Sequence, residues 1–225
     1  MVWPLHLLST EQAETRELVE KTLLHWLTVE DGKQIYGWSS AAAASIYASM
    51  GDGEKAIAKL REHHDNKRFV MPNTMYIEGS PVIECSLMAA RSLEDMLIQS
   101  WGDCIRIFPA VPEEWKELAF KDLRTEGAFL VSASRKAGQT QWVHLKSLAG
   151  EPCKIRPSIH GEISIVINRK TVQKIVNKDE IIEIELNKGE EAFIFPGIKV
   201  PDLAINPVHI NEGEYNFWGV KANEK

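Results

Sequence analysis

The chain has 225 residues, 44% of them hydrophobic and 26% charged, with a formal net charge of −6. That length covers one large domain or two ordinary ones, and the balance of apolar and charged residues excludes a disordered chain. The negative charge and the lack of any basic run argue against nucleic acid as a partner, and no stretch approaches the roughly 20 apolar residues of a membrane span.

At the N-terminus, Met1 to Leu8 is apolar but lacks a basic start and is too short for a signal sequence, so the chain as written reads as cytoplasmic. Ser9-Thr10-Glu11-Gln12 has the spacing of a capping box with Ser9 as the N-cap. The helix after it carries Leu18, Val19, Leu23, Trp26 and Leu27 as its apolar stripe and ends at Asp31-Gly32. A second helix is predicted from Ser39 or Ser40 through the alanine run to Met50, its small side chains allowing close approach of a neighbour. Gly51-Asp52-Gly53 supplies a left-handed stop and a new start, and a third helix from Glu54 to His64 should bury Ile57 and Leu60. Residues 65–80 are irregular, punctuated by Pro72, Asn73 and Gly79, and a long loop inside a helical region is more often functional than idle. Ile83, Leu87, Ala90, Leu97 and Trp101 then recur at helical spacing, which predicts a fourth helix buried along that stripe.

Beyond Gly102-Asp103 the period changes from helical to alternating. Ile105 to Phe108 reads as a short strand. Phe129, Val131 and Ala133 alternate with Leu130, Ser132 and Ser134, and Val143 and Leu145 alternate with Trp142, His144 and Lys146; the four residues from Lys136 to Gln139 turn one strand into the other. Ile163 to Ile167 has the composition of a central strand. Ile182, Ile184 and Leu186 face one way and Glu183 and Glu185 the other, with Phe193-Ile194-Phe195 as the last strand. The fold class expected is therefore α+β in two domains, helices and then an antiparallel β-sandwich. From Pro201 onward the sequence is irregular, with Phe217 and Trp218 able to dock it.

The residues that could carry chemistry are few. Glu84 stands one residue inside a helix start, a place where the helix dipole favours a carboxylate for structural reasons alone, so function has to be weighed against that. Glu78 is a loop acid that solvation would equally explain. Tyr36, Trp38, Tyr76 and Trp101 could form an aromatic wall against the apolar face of a sugar, although helix-borne tryptophans are more often core. His63-His64 is a poor metal pair because adjacent helical residues point apart, and a surface pair is the default. Cys85, Cys104 and Cys153 have no metal-ligand spacing and read as reduced, buried thiols. No motif calls for a metal, a nucleotide or any other cofactor.

The order of features is nevertheless distinctive. Tyr36-Gly37-Trp38-Ser39, followed by the segment Tyr47 to Ala56, resembles the late helices of six-hairpin glycosidases. The stretch Asp95 to Ser100, then Ile105-Arg106-Ile107-Phe108-Pro109-Ala110-Val111-Pro112 and Trp115, resembles the passage from the last barrel helix into the C-terminal β-domain of glycoside hydrolase family 95, the α-L-fucosidase family. Leu123-Arg124, Gly127-Ala128-Phe129 and the segment Ser147 to Cys153 continue the likeness. The resemblance covers roughly residues 1–157. It implies a partial α/α-toroid over residues 1–103, a β-sandwich over 104–200 and a tail over 201–225. Family members place an aspartate in an Ile-Asp-Gly-Asn-Phe-Gly setting before the final barrel helix. Counted back from Gln99-Ser100, that position is Glu84, preceded likewise by Ile83, while Cys85-Ser86-Leu87 replaces the Gly-Asn-Phe.

In that family the general acid, and the asparagines that act with the aspartate on water, lie upstream of the segment matched here. The resemblance thus implies the C-terminal portion of a larger inverting glycosidase, truncated before its acid and inactive alone. Glu84 takes the base-side role, with Trp38, Tyr76 and Glu78 around the carbohydrate substrate. The parent of such a portion could be secreted. Two other readings stay open: an accessory carbohydrate-binding protein using a sandwich face around Trp142 and Trp218, and an interaction fragment whose open helical face another chain covers.

Overall fold

The computed structural model describes residues 2–33, 35–66, 68–71 and 75–205. Pro72 and Asn73, read as punctuation in the long loop, and Phe217 and Trp218 of the tail lie outside the described residues. The chain divides into two compact units between Met96 and Leu97, so the architecture is helical and then β.

Among the described residues, four α-helices build the first unit: α1 (Ala13–Thr28), α2 (Trp38–Ser49), α3 (Gly53–His64) and α4 (Ile83–Leu97). The start of α1 differs from the capping-box expectation. Its N-cap is Gln12, with no side-chain cap. The Ser9 hydroxyl instead accepts from the Glu11 amide at 3.2 Å, and the buried Thr10 hydroxyl donates to the Ser49 carbonyl. Short side chain to backbone bonds of this kind compete with the helix for the same groups. Of the expected stripe only Val19 and Leu23 are buried, and Leu18 faces solvent.

The joint between α2 and α3 follows the sequence closely. Gly51 takes the left-handed conformation, φ +76°, while the Asp52 amide donates back to Tyr47 O at 3.0 Å. Asp52 then caps α3 by accepting from the Lys55 amide at 3.0 Å. The alanine run, Ala41 to Ala44, is buried all round, and α2 lies against α3. Ile57 and Leu60 are only half-buried; Gly53, Ala56 and His63 form the inner face of α3.

The orientation of α4 corrects the sequence reading. Its buried face is Cys85, Met88, Ser92, Asp95 and Met96, whereas Ile83 is 69% and Leu87 61% exposed. Small polar residues can face the alanine surface of α2 because each finds a partner there. Ser92 Oγ lies 2.7 Å from Ala41 O and Ser45 donates to Asp95 Oδ2 at 2.8 Å; from α4 itself, Arg91 pairs with Asp95 Oδ1 at 2.8 Å. The helix also stops at Leu97 rather than running to Trp101, because Ile98 and Gln99 pair as a strand with Ile107 and Arg106.

In the second unit ten strands follow: β1 (Ile98–Gln99), β2 (Ile105–Ile107), β3 (Leu118–Thr125), β4 (Phe129–Lys136), β5 (Gln139–Ser147), β6 (Cys153–Arg156), β7 (Gly161–Ile167), β8 (Lys170–Val176), β9 (Ile182–Ile184) and β10 (Glu191–Pro196). They form a four-stranded sheet, β1-β2-β6-β9, and a six-stranded sheet, β3-β4-β5-β10-β7-β8. Pairing is antiparallel except between β2 and β6, which run parallel, so the sandwich-like unit is mixed rather than wholly antiparallel. One apolar core joins the alternate residues Phe129, Val131, Val143, Leu145, Ile163 and Ile194 of the large sheet to Ile105, Ile107, Ile155, Ile182 and Ile184 of the small one. Among the described residues no helix is long and apolar enough to cross a membrane.

Candidate functional site

In the helical unit, the peptide between Gly37 and Trp38, where α2 begins, is the meeting point of three elements. Gly37 adopts φ +53°, ψ −123°, and a side chain there would collide with Tyr76 Oη and Glu78 Oε1. Only glycine both reaches that conformation freely and leaves the space open. From the far end of α3, the His63 Nδ1 lies 3.1 Å from Gly37 O. A carbonyl oxygen only accepts, so the imidazole proton sits on Nδ1. The His63 ring is buried and stacks on Tyr76 at 5.2 Å with an interplanar angle of 8°. Burial pushes the His63 pKa down, against the opposing bond to Gly37, and keeps the ring neutral at pH 7.

Tyr76 lies on the loop between α3 and α4. The described part of that loop around Tyr76 is held by backbone bonds, Ile77 N to Phe69 O and Val82 N to Tyr76 O, both at 2.9 Å. The Tyr76 ring is 1% exposed, and Phe69 packs beside it, stacked in turn on Tyr36. Burial raises the phenol pKa, and the adjacent Glu78 carboxylate raises it further. Cys85, on the first turn of α4, is buried; burial pushes its thiol up, and the Glu78 carboxylate adds to this, while a bond from the Trp38 amide opposes it. The starts of α2 and α4 therefore touch at Trp38 and Cys85.

The residues anticipated from sequence fall into two groups. Glu78 and Tyr76 come together at Gly37, Glu78 in an exposed position and Tyr76 enclosed. Trp38 and Glu84 are the solvent-facing pair: the Trp38 indole is 46% exposed, with the edge of Trp3 against it at 5.4 Å, and Glu84 is exposed as the second residue of α4. Trp101 is buried, with the Arg106 guanidinium 3.8 Å over one face of its ring, and so presents no open surface to a sugar. Trp142 is buried, which removes it as a surface on which a sugar could stack.

Two residues of this cluster were missed. His63 was read as one of a surface pair, although it follows Ala56 and Leu60 at helical spacing and so falls on the inner face of α3. Gly37 carried no signal of its own beyond the Gly-Trp-Ser run. Among the described residues no group of three or more His, Cys, Asp and Glu side chains could hold a metal ion. A separate cavity of about 320 Å³ opens in the β unit, lined among others by Ser100, Asp103, Cys104, Glu126, Glu151 and Lys154. None of the anticipated residues borders it.

Comparison with known proteins gives a family match within the second unit. Residues 99–194 match the model of the glycoside hydrolase family 95, C-terminal domain. Among solved structures, one match is a GH127 beta-L-arabinofuranosidase from Geobacillus stearothermophilus T6, at 14% identity and a TM-score of 0.29, over 86% of this chain. The chain spans about a third of that protein's length, 32%. No curated protein matches.

Proposed function

We propose that this chain is the C-terminal portion of an inverting, α-L-fucosidase-like glycoside hydrolase, with Glu84 on the side of the sugar where water is activated. The match of residues 99–194 to a family 95 C-terminal domain carries the reading. Support from the helical unit is chemical. Trp38 offers a half-exposed ring suited to the apolar face of a pyranose, and Glu84 offers an exposed carboxylate on the first turn of a helix. Tyr76 and Glu78 stand beside Gly37, the residue before Trp38: the enclosed Tyr76 backs the wall of the carbohydrate site without reaching the sugar, and the exposed Glu78 can meet it. In this reading α1 to α4 are the closing helices of an α/α-toroid. The helical part of the chain ends between Met96 and Leu97 rather than at residue 103, because Ile98 and Gln99 already pair with Ile107 and Arg106 in the β unit. In the proposal the β-domain runs to residue 200 and the tail covers 201–225. The exposed stripe of Ile83 and Leu87 would face further helices of the ring, or another chain.

Inversion needs a general acid on one face of the bond and a base opposite, separated by about 6.5–9.5 Å. Only the base side is assigned to this chain, so the chain alone is expected to leave an aryl α-L-fucoside uncleaved. Joined to an N-terminal segment that carries the acid, it should cleave that substrate with inversion. In the joined protein Glu84→Gln should lower kcat by about a thousandfold, within the range for loss of a general base, with the fold intact because the side chain is exposed. Full activity of that variant would remove Glu84 from the mechanism.

A further inference from the structure

Packing covers only about half of Trp38 and so fixes its aim only in part. Its described ring contact is the edge of Trp3, and nearly half of its surface is open. The direction in which the indole leaves α2 therefore depends also on the backbone that starts the helix, the Gly37–Trp38 peptide. The Gly37 carbonyl accepts the first helical bond of α2 from the Ala41 amide, at a long 3.3 Å. The bond from His63, at 3.1 Å, is the shorter of the two and arrives from a different helix. A peptide with φ +53° on its glycine has other conformations open to it, so a second donor on its carbonyl selects among them.

We propose that His63 is a positioning residue of the carbohydrate site: its Nδ1–H bond to Gly37 O, backed by its stack on Tyr76, fixes the start of α2 and so the orientation of the Trp38 indole. His63 touches no ligand itself. Tyr76 supplies the flat surface that keeps the imidazole in plane, and the Tyr76 hydroxyl and Glu78 carboxylate close the space over the Gly37 α-carbon. The importance of the aim of Trp38 rests on the reading of that ring as sugar-facing, whereas the hold on the peptide stands without it.

The test uses the full chain with labelled glycine carbonyl carbons, tryptophan indoles and histidine ring nitrogens. In the wild-type chain the His63 ring must carry its proton on Nδ1 with Nε2 bare; a proton on Nε2 alone overturns the inference, and this measurement needs no variant to fold. His63→Phe keeps a flat ring on Tyr76 and deletes the donor. It should move the Gly37 carbonyl and Trp38 indole resonances and speed amide exchange at Trp38 about tenfold, as expected for one lost hydrogen bond of ordinary strength. His63→Asn places an amide nitrogen where Nδ1 was and should return both resonances towards wild type, which a role in packing alone would not produce. Unmoved Gly37 and Trp38 signals in a folded His63→Phe protein overturn the inference.

L-Fucose, titrated while the Trp38 indole is followed, separates this hold from the proposed function. A wild-type response that weakens about tenfold in His63→Phe, the same single hydrogen bond's worth, supports both. No wild-type response removes Trp38 as the sugar platform and leaves the resonance and exchange results to decide the hold.

Discussion

The Nδ1 of His63 lies 3.1 Å from the carbonyl oxygen of Gly37, joining the last turn of α3 to the first residue before α2. The bond exists because Gly37 adopts a conformation that turns its carbonyl toward α3, and because no side chain at that position pushes the Tyr76 loop away. Gly37→Ala should break both conditions. The methyl group meets the Tyr76 hydroxyl and the Glu78 carboxylate, and φ +53° is costly for an L residue. Glu78 is exposed and can swing aside, but Tyr76 is enclosed on all sides. The expected loss is about 2–4 kcal/mol, or on the order of 10 °C in the helical melting transition followed at 222 nm. A Tm unchanged within a degree would show that the loop yields freely.

Asp95 gives a pH dependence with a definite sign. Its side chain is enclosed between α2 and α4, and burial raises its pKa from 3.8 to about 6, against the opposing pulls of Arg91 and Ser45. A raised folded-state pKa means that the folded protein holds this proton more tightly than the unfolded chain. The contribution is fully present below pH ~3.8 and is lost as pH rises through about 6. Across that window wild type should lose roughly 2–4 kcal/mol relative to Asp95→Asn, which carries no titrating proton there. Urea unfolding of both proteins between pH 4 and 7.5 measures the difference, and parallel curves would count against a neutralised buried carboxyl.

Elements whose information is local were legible in the sequence. Gly51-Asp52-Gly53 marks the turn between α2 and α3 because its stop and its cap lie within three residues of each other. The alternation of Phe129, Val131 and Ala133 marks β4 because one face of that strand is core. Failures occurred where the decisive partner is distant. The apolar period of α4 selects Ile83 and Leu87, yet Ala41 and Ser45 of α2 offer bonds to Ser92 and Asp95 that let the face with these polar residues be the buried one. A two-residue period loses β3 because a bulge between Phe120 and Leu123 shifts its register, and loses β8 because both of its faces are exposed. Of the residues proposed for the site, Glu84 was legible only as a carboxylate at a helix start, which is where α4 has it. The role of His63 was not, since its acceptor lies 26 residues earlier in the chain.

Leu87 and Met88 are neighbours on α4 with opposite fates. Leu87 is 61% exposed, while Met88 is 4% exposed and packs with Ala41 and Ala42 of α2. Leu87→Lys should change stability by no more than about 0.5 kcal/mol, since a long side chain simply replaces another in solvent. Met88→Ala should cost about 2–4 kcal/mol, because the removed atoms leave a gap that the small residues of α2 cannot fill. Chemical unfolding of the two variants side by side checks the orientation of the helix directly. A costly Leu87→Lys with a tolerated Met88→Ala would turn α4 over.

The hairpin between β4 and β5 offers a stabilising substitution. Lys136 pairs with Gln139, which leaves Ala137 and Gly138 as a two-residue turn with φ +50° and +76°. Positive φ at both positions is the primed geometry that matches the twist of a hairpin, and Asn-Gly is the pair that adopts it most readily. Alanine pays roughly 1 kcal/mol for the left-handed region because its Cβ crowds the following carbonyl, a penalty that asparagine largely escapes. The Gly138 amide donates to Lys116 O at 3.0 Å, and Ala137→Asn leaves that bond in place. The variant should therefore gain about 0.5–1 kcal/mol, confined to the unfolding of the β unit. Ala137→Pro should do the reverse, because the ring fixes φ near −65° and cannot enter the turn. Near-UV circular dichroism of the β unit, recorded against denaturant, reads both effects; a destabilised Ala137→Asn protein would mean that the turn is not of the primed type.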